Sequence, residues 1–301
     1  MAPAVKQPIA VVGGINADIC GTPSGRLILR DSNPGHVSVT PGGVGRNIAH
    51  NLRLLGHEVQ LMSIVGNDEY GHMLRRSCEE LGIDTQMLCC RPDGYRTSTY
   101  LYVTDENGDM QTAVSDMVIM SLLGPDLIRR WLHLLNSAAA VVIDANLEPE
   151  AFAYIAANVG APLYADPVST VKAEHLAAVL PRLQCLKPNA LEAEKLTGEH
   201  DPEKAAKALI RAGVKRVFLS MGAQGMLAAE GDRLLYRPCE QARVINTTGA
   251  GDAVTAALTW AGVHGMDLED TLRFALRAGA LTTECAGTTN PRLAELTREL
   301  L

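Results

Sequence analysis

Short, wholly apolar runs alternate along the chain with stretches whose apolar residues recur every three or four positions. Ile9 to Val12, within Pro8 to Gly13, is unbroken apolar sequence ending in a glycine pair. A run that short and continuous predicts a strand buried on both faces that feeds a loop. Val44, Ile48, Ala49, Leu52 and Leu55 then fall at helical spacing, with Gly56 as a natural stop. Val59 to Val65 predicts the next strand, and Leu74 to Leu81 a helix ending at Gly82. Val141 to Ile143, Leu163 to Ala165 and Cys185 to Leu186 read as short strands between helical patterns, and Val214 to Ser220 as another. Met226 to Ala229 and Arg233 to Arg237, joined by Gly231-Asp232, predict a hairpin. Long helices follow from about Ala250 and Leu268. Such alternation predicts an α/β fold with a mostly parallel sheet.

Two segments break the pattern. Arg26 to Thr40 and Ser98 to Ser115 are strand-like without an accompanying helix, and Glu106-Asn107-Gly108-Asp109 supplies a turn inside the second. They predict a small antiparallel accessory sheet, inserted at about 26–40 and 98–115 into one domain spanning 1–301. A net charge of −7 with scattered Lys and Arg excludes a nucleic-acid polymer as partner. Met1 to Gln7 carries no long apolar run, Ile9 to Val12 is too short for an export signal, and no segment is long enough to cross a bilayer, so a cytoplasmic protein is expected. Seven cysteines without regular spacing fit a reducing compartment, and all seven are expected to pack inside. His50, His57 and His133 are expected at the surface or in packing roles.

The richest chemistry lies in Asn246-Thr247-Thr248-Gly249-Ala250-Gly251-Asp252, directly before a helical pattern. Glycine-rich backbone entering a helix offers unpaired N–H groups and partial positive charge, which suit a phosphate or a transferring phosphoryl group. An aspartate in that first turn can take the proton of a hydroxyl nucleophile, although a simple helix cap would also place aspartate there. Far upstream, Asn16, Asp18 and Asn47 are short hydrogen-bonding side chains beside Gly42, Gly43 and Gly45. Such a set suits sugar hydroxyls approached closely by backbone. There is no P-loop, no dinucleotide G-x-G-x-x-G and no H-E-x-x-H or G-x-S-x-G sequence.

Together these segments resemble the signatures of the ribokinase-like (PfkB) family: Thr248 to Asp252 its C-terminal motif, Pro41 to Ala49 its glycine-rich sugar motif, and Gly14 to Asp18 its first substrate loop. Val65 to Asp68, Asp166-Pro167, Lys187-Pro188-Asn189 with Glu192, and Ser220 to Gly225 match as well, so the resemblance spans nearly the whole chain. It implies a three-layer α/β/α sandwich with a mostly parallel sheet and a small β lid. It also implies ATP as phosphoryl donor, Asp252 as base, and Gly249, Ala250 and Gly251 as the anion hole. Asn16, Asp18, Gly42, Gly43, Arg46 and Asn47 would bind the sugar. Asn189, Glu192, Ser220, Gly222, Gly225, Thr248, Gly249, Gly251 and Asn290 would serve the nucleotide, with Glu192 handling Mg2+ mainly through water. Asn246 departs from the family, in which many members have an aspartate that takes part in a monovalent-cation site; Ala286, Gly287 and Asn290 lie where its other loop would be. K+ is therefore an open expectation.

Within the family, Asp31 to Gly35, Gly45-Arg46-Asn47, Ser115-Asp116-Met117 and Asp166 to Ser169 resemble the pseudouridine kinase branch. That implies transfer to the 5′-hydroxyl of a C-nucleoside, with ribose, adenosine or a sugar acid as alternative substrates and a non-catalytic ribosyl-ligand sensor as the alternative of another class. The lid segments provide Thr97, Ser98, Thr99, Tyr100, Ser115 and Asp116 to read a uracil edge, Thr99 and Asp116 foremost. Because a lid sheet leaves one face and one edge open, a homodimer through the lids is expected.

Overall fold

A computed structural model of the chain describes residues 7–298, so the N-terminal segment read above for export signals lies, apart from Gln7, outside the described residues. The strands are β1 (Ile9–Val12), β2 (Asn16–Pro23), β3 (Gly35–Gly42), β4 (Val59–Gly66), β5 (Leu88–Arg91), β6 (Thr99–Thr104) and β7 (Met110–Asp116). They continue with β8 (Ala140–Asp144), β9 (Leu163–Asp166), β10 (Leu183–Leu186), β11 (Arg216–Ser220), β12 (Met226–Glu230) and β13 (Arg233–Arg237). Nine form one sheet in the order β13-β12-β11-β10-β9-β8-β1-β4-β5, parallel except where β12 runs against β11 and β13. The other four form a second sheet, β3-β2-β6-β7.

The continuous apolar runs are strands with both faces covered. In β1, Ile9 and Val11 face one core, with helices Val44–Leu54, Ala250–Val263 and Leu268–Thr283, while Ala10 and Val12 face the other, with helices Pro125–Ser137 and Pro149–Asn158. The molecule is the expected ribokinase-like three-layer sandwich. Trp260, fully buried, stacks on His264 and Phe274 between the long C-terminal helices. Among the described residues no helix is long and apolar enough to cross a membrane.

The structure differs from the sequence reading in four places, the first being that only Gly35 to Thr40 of the expected strand-like segment Arg26 to Thr40 is strand, the rest forming a turn in which Asn33 Oδ1 accepts from Ile28 N. The helix expected at Leu74 begins at Glu69, because the Asp68 side chain accepts from Gly71 N and caps it before the apolar periodicity starts. Only Cys78 and Cys185 are buried; Cys90 and Cys239 are exposed on the strand and loop that carry them. The lid sheet is mixed rather than antiparallel: β2 runs parallel to β6 at its centre, and β2 was not among the expected strands. Its Asp18, Gly21 and Pro23 interrupt strand-like composition, and the strand persists because it is paired on both sides.

Candidate active site

Successive parallel strands end in ionisable residues: β8 in Asp144, β9 in Asp166, with Lys187 directly after β10. All three are buried. Lys187 Nζ lies 3.1 Å from Asp166 Oδ2, which also accepts from Thr255 Oγ1 at 2.7 Å, while Val168 N donates to Oδ1 at 2.8 Å. Asp144 accepts from Gly14 N at 2.7 Å and from Asn146 N at 3.0 Å, yet burial still pushes its pKa up to about 6. Charges taken out of water persist only when bonded in this way. Lys187, for which burial opposes charging, is held above its ordinary pKa by Asp166 and then Glu192.

The helix Ala250–Val263 points its N-terminus at this cluster. Gly249 precedes it at φ 85°, and a Cβ there would overlap the Thr288 carbonyl, so glycine is required both by conformation and by space. Asp252 sits in the first turn, half-buried, and its Oδ2 accepts from Asn47 Nδ2 at 3.0 Å. That bond joins the two glycine-rich motifs, 205 residues apart in the chain. Burial first, then the Asp166 charge, push the Asp252 carboxyl up to about 8, against the pull of Asn47 and Lys187. Among the expected anion-hole amides, Ala250 N already makes a long turn bond to Thr247 O, 3.3 Å, whereas Gly249 N and Gly251 N have no backbone partner among the described residues. Thr248 N donates to Asn246 Oδ1 at 2.9 Å.

On the sugar side, Asn16 Nδ2 donates to Asp18 Oδ1 at 2.6 Å, and Gly42 leaves room for the Asp18 carboxylate, which any Cβ there would overlap. Gly43, at φ 101°, brings the motif against Gly14. Arg46 is buried, donating from Nη2 to Ser77 Oγ at 2.8 Å, and its Nε has no hydrogen-bond partner among the described residues. Burial draws its pKa down while Cys78 and Asp18 hold it up.

The nucleotide residues of the central segments gather at one cleft, where Asn189 bridges to Ser220. Asn189, Ser220 and Gly222 line an open cleft of about 260 Å³. Asn189 and Glu192 form a reciprocal cap, with Glu192 N donating to Asn189 Oδ1 at 2.9 Å and Asn189 N to Glu192 Oε2 at 2.8 Å. Glu192 is buried, and burial raises its pKa against the pull of Asn189 and Lys187. Gly225 turns the chain at φ 111° between β11 and β12. Asn290 spends both ends of its amide inside the fold, on Leu281 O and Arg292 N. Asn246 Nδ2 donates to Ala286 O at 3.0 Å, tying the two loops together, with Gly287 next in the chain.

Strand register separates the expected lid residues. Thr99 and Asp116 pair with each other and with Ala17, hence on the face opposite Asp18, whose row holds Tyr100 and Ser115. Thr99 and Asp116 instead line a cleft of about 420 Å³ with Asn67, Arg91, Tyr95 and Arg96. The sequence reading assigned no role to Lys187 or Asp144. The signal was there: V-V-I-D, L-Y-A-D and Q-C-L-K are three buried strands that end in charge.

Comparison with known proteins accords with this geometry. The pfkB family carbohydrate kinase model matches residues 6–295. Pseudouridine kinase of Escherichia coli (strain K12) is 37% identical over 96% of this chain and 94% of its own length. A carbohydrate kinase from Agrobacterium tumefaciens superposes with a TM-score of 0.85 at 28% identity, covering 96% of each chain. Arabidopsis thaliana ribokinase, solved with ribose and ATP, shares the fold at a TM-score of 0.84 and 22% identity, over 97% of this chain and 99% of its own. The chain therefore belongs to the PfkB family of carbohydrate kinases, phosphotransferases that act on an alcohol group of a sugar or nucleoside.

Proposed function

We propose that this protein is a cytoplasmic enzyme that transfers the γ-phosphoryl group of ATP to the 5′-hydroxyl of pseudouridine. One observation carries the catalytic part. Asp252 is hydrogen-bonded to Asn47 of the sugar motif and stands in the first turn of a helix preceded by Gly249. A hydroxyl presented by Asn16, Asp18 and Asn47 meets a proton acceptor and an anion-binding helix end in the same place. The 37% identity to a pseudouridine kinase supports the choice of nucleoside.

In the step itself, Asp252 takes the O5′ proton as O5′ bonds to the γ-phosphorus and the bond to the bridging oxygen of ADP breaks. The N–H groups of Gly249 and Gly251, with the Lys187 ammonium nearby, face the charge on the transferring group. Gly251 permits that approach, since a Cβ there would come within 3.0 Å of Lys187 Nζ. Among the described residues no three acidic, His or Cys side chains converge on a common metal position. Mg2+ would be held chiefly by ATP phosphates and water, with Glu192 and Asn189 as outer partners. Mg2+ supplies countercharge to the β- and γ-phosphates when bound.

The outward lid face supports a homodimer. Val39, Ile19, Leu101 and Val114 form one apolar row across its four strands, with Val37 beside it, and Val37 and Val114 are 67% and 65% exposed. A second copy of that row is the self-complementary partner a two-fold axis would supply. Coupled measurement of ADP release with pseudouridine, uridine, adenosine and ribose tests the activity. ADP release strongest with pseudouridine supports the proposal; release with ribose alone, or with none of them, overturns it.

A further inference from the structure

The inward face of the lid carries more than Asp18. Strand pairing sets Thr40, Asp18, Tyr100 and Ser115 in one row and Ser38, Cys20, Tyr102 and Ala113 in the next on that face. The Tyr100 and Tyr102 rings lie with centroids 5.6 Å apart at 35°, each half-buried. Burial first, then the neighbouring Cys20 and Asp18, push the Tyr102 phenol up to about 12. The chain has only three Phe and two Trp beside its seven Tyr, and Trp260 and Phe274 are spent on the core, so two adjacent tyrosines next to the sugar carboxylate are conspicuous.

Strand rise places the Tyr102 row roughly 7 Å farther along the lid than the Asp18–Tyr100 row. That is about the reach of a pyrimidine ring carried on C1′ of a ribose held at Asp18. Around the rings this face presents hydroxyls, on Thr40, Ser38 and Ser115, that can donate or accept at a base edge. The opposite face carries Val37, Val39, Leu101 and Val114, with Thr99 and Asp116 at one end, and none of its paired strand residues is aromatic.

We infer that Tyr100 and Tyr102 form the wall against which the base of the nucleoside lies, and that this wall makes the enzyme select an aromatic aglycone over free ribose. The inference rests on the reading of the substrate as a nucleoside. An aromatic ring gains from stacking on a base whatever its identity, whereas a bare sugar offers no π-face to use. Selection by the wall is thus coarse, and the hydroxyl rim refines it.

The test compares kcat/KM for pseudouridine, uridine and ribose in the wild type, in Tyr100→Leu/Tyr102→Leu and in Tyr100→Phe/Tyr102→Phe. In the Leu variant the nucleoside-to-ribose ratio is expected to fall about 10-fold or more, mostly through the nucleoside KM, the usual size of one lost base–aromatic stack. The Phe variant should hold the ratio near its wild-type value, because it keeps both rings. If the Leu double variant does not fold, as circular dichroism would show, single Tyr102→Leu is read by the same ratio. A wild type that uses nucleosides, with a ratio unmoved by the Leu changes, overturns the wall and leaves the nucleoside reading standing. Equal wild-type use of ribose and pseudouridine overturns the selection, and a wild type that uses ribose alone overturns the wall and the nucleoside reading together.

Discussion

The floor of the site and its lid are built on opposite principles. On the floor, added side-chain atoms have nowhere to go: a Cβ at Gly43 would sit 2.5 Å from Gly14 O, and one at Gly249 would overlap Thr288 O. The charges there, Asp144, Asp166 and Lys187, are buried and bonded to backbone or to each other. Along the lid strands and at their turn there is more room: a Cβ at Gly21 would first meet Val103 at 3.8 Å and one at Gly108 would meet nothing within 4 Å, and only where β3 begins and ends, at Gly35 and Gly42, would a Cβ overlap Thr22 O or Asp18. Phosphoryl transfer needs fixed geometry, and the interlocked floor provides it. Choice of substrate needs side chains that can change without moving backbone, and a thin, half-exposed sheet allows that.

The comparison breaks most sharply at Asp252. Asp252→Asn keeps size and the partnership with Asn47 but removes the proton acceptor, so turnover should fall by ~10²–10⁴-fold. Nucleoside affinity should change far less, which steady-state kinetics beside circular dichroism will separate. Near-normal turnover would assign Asp252 to capping alone. Gly249→Ala should follow closely. The left-handed conformation alone costs roughly 1–2 kcal/mol in a non-glycine residue. The Thr288 overlap must in addition push the helix end aside, and a shift of about 1 Å in a catalytic group costs on the order of 10²-fold in rate. Gly108→Ala in the lid turn, also at positive φ but in open space, should cost stability and leave turnover near wild type. If both variants lose activity equally, the contrast between floor and lid fails.

Legibility in the sequence follows the same division. The floor was readable because its constraints are local and exclusive: glycines at fixed offsets from Asn47 and Asp252 can be seen in a string of letters. Continuous apolar runs likewise announced the parallel strands, since both faces of β1 are covered. The lid was read less well. Its inward and outward faces differ only by strand register, and a one-residue offset separates Thr99, on the Ala17 face, from Tyr100, on the Asp18 face. The sequence marks both as strand residues and does not say which looks inward until β2, itself unexpected, supplies the reference. Lys187 was missed as a participant because its role depends on Asp166 and Gly251, which meet it only in three dimensions.

Protonation sharpens the comparison with a smaller, measurable effect. Folded Asp252 keeps its proton up to about pH 8, whereas in the unfolded chain it loses it near 3.8. Between those values the folded state binds more protons, so this group makes stability fall as pH rises, by on the order of a few kcal/mol over the whole interval. Asp252→Asn removes that loss. Its melting temperature should exceed that of the wild type by a margin that widens from about pH 4 to about pH 8 and is constant above, as thermal scans across pH will show. In the active enzyme the same group should give kcat/KM a rising limb with a midpoint near 8, the free-enzyme value. In the lid, Asp116→Ala should change nucleoside kcat/KM by less than about threefold, as expected of an exposed residue on the face opposite Asp18.

The smallest expected effect concerns monovalent cations, at the seam between the two glycine-bearing loops of the floor. A cation bridging such loops needs oxygen ligands converging from both sides. Here the 246 side chain is an amide, and its orientation is set twice over: Oδ1 accepts from Thr248 N and Nδ2 donates to Ala286 O. Flipping the amide would set two donors, or two acceptors, against each other, so an N–H group faces the Ala286 carbonyl. A donor in that place makes the loop-to-loop link directly and repels a cation from the carbonyl it occupies. Exchanging KCl for tetramethylammonium chloride at constant ionic strength should therefore leave the initial rate at its KCl value. Asn246→Asp should introduce a K+ requirement, because a carboxylate beside a carbonyl left without its donor invites a positive ion between them. A wild type that loses activity without K+ would show that the Asn246 bridge opens in the working enzyme.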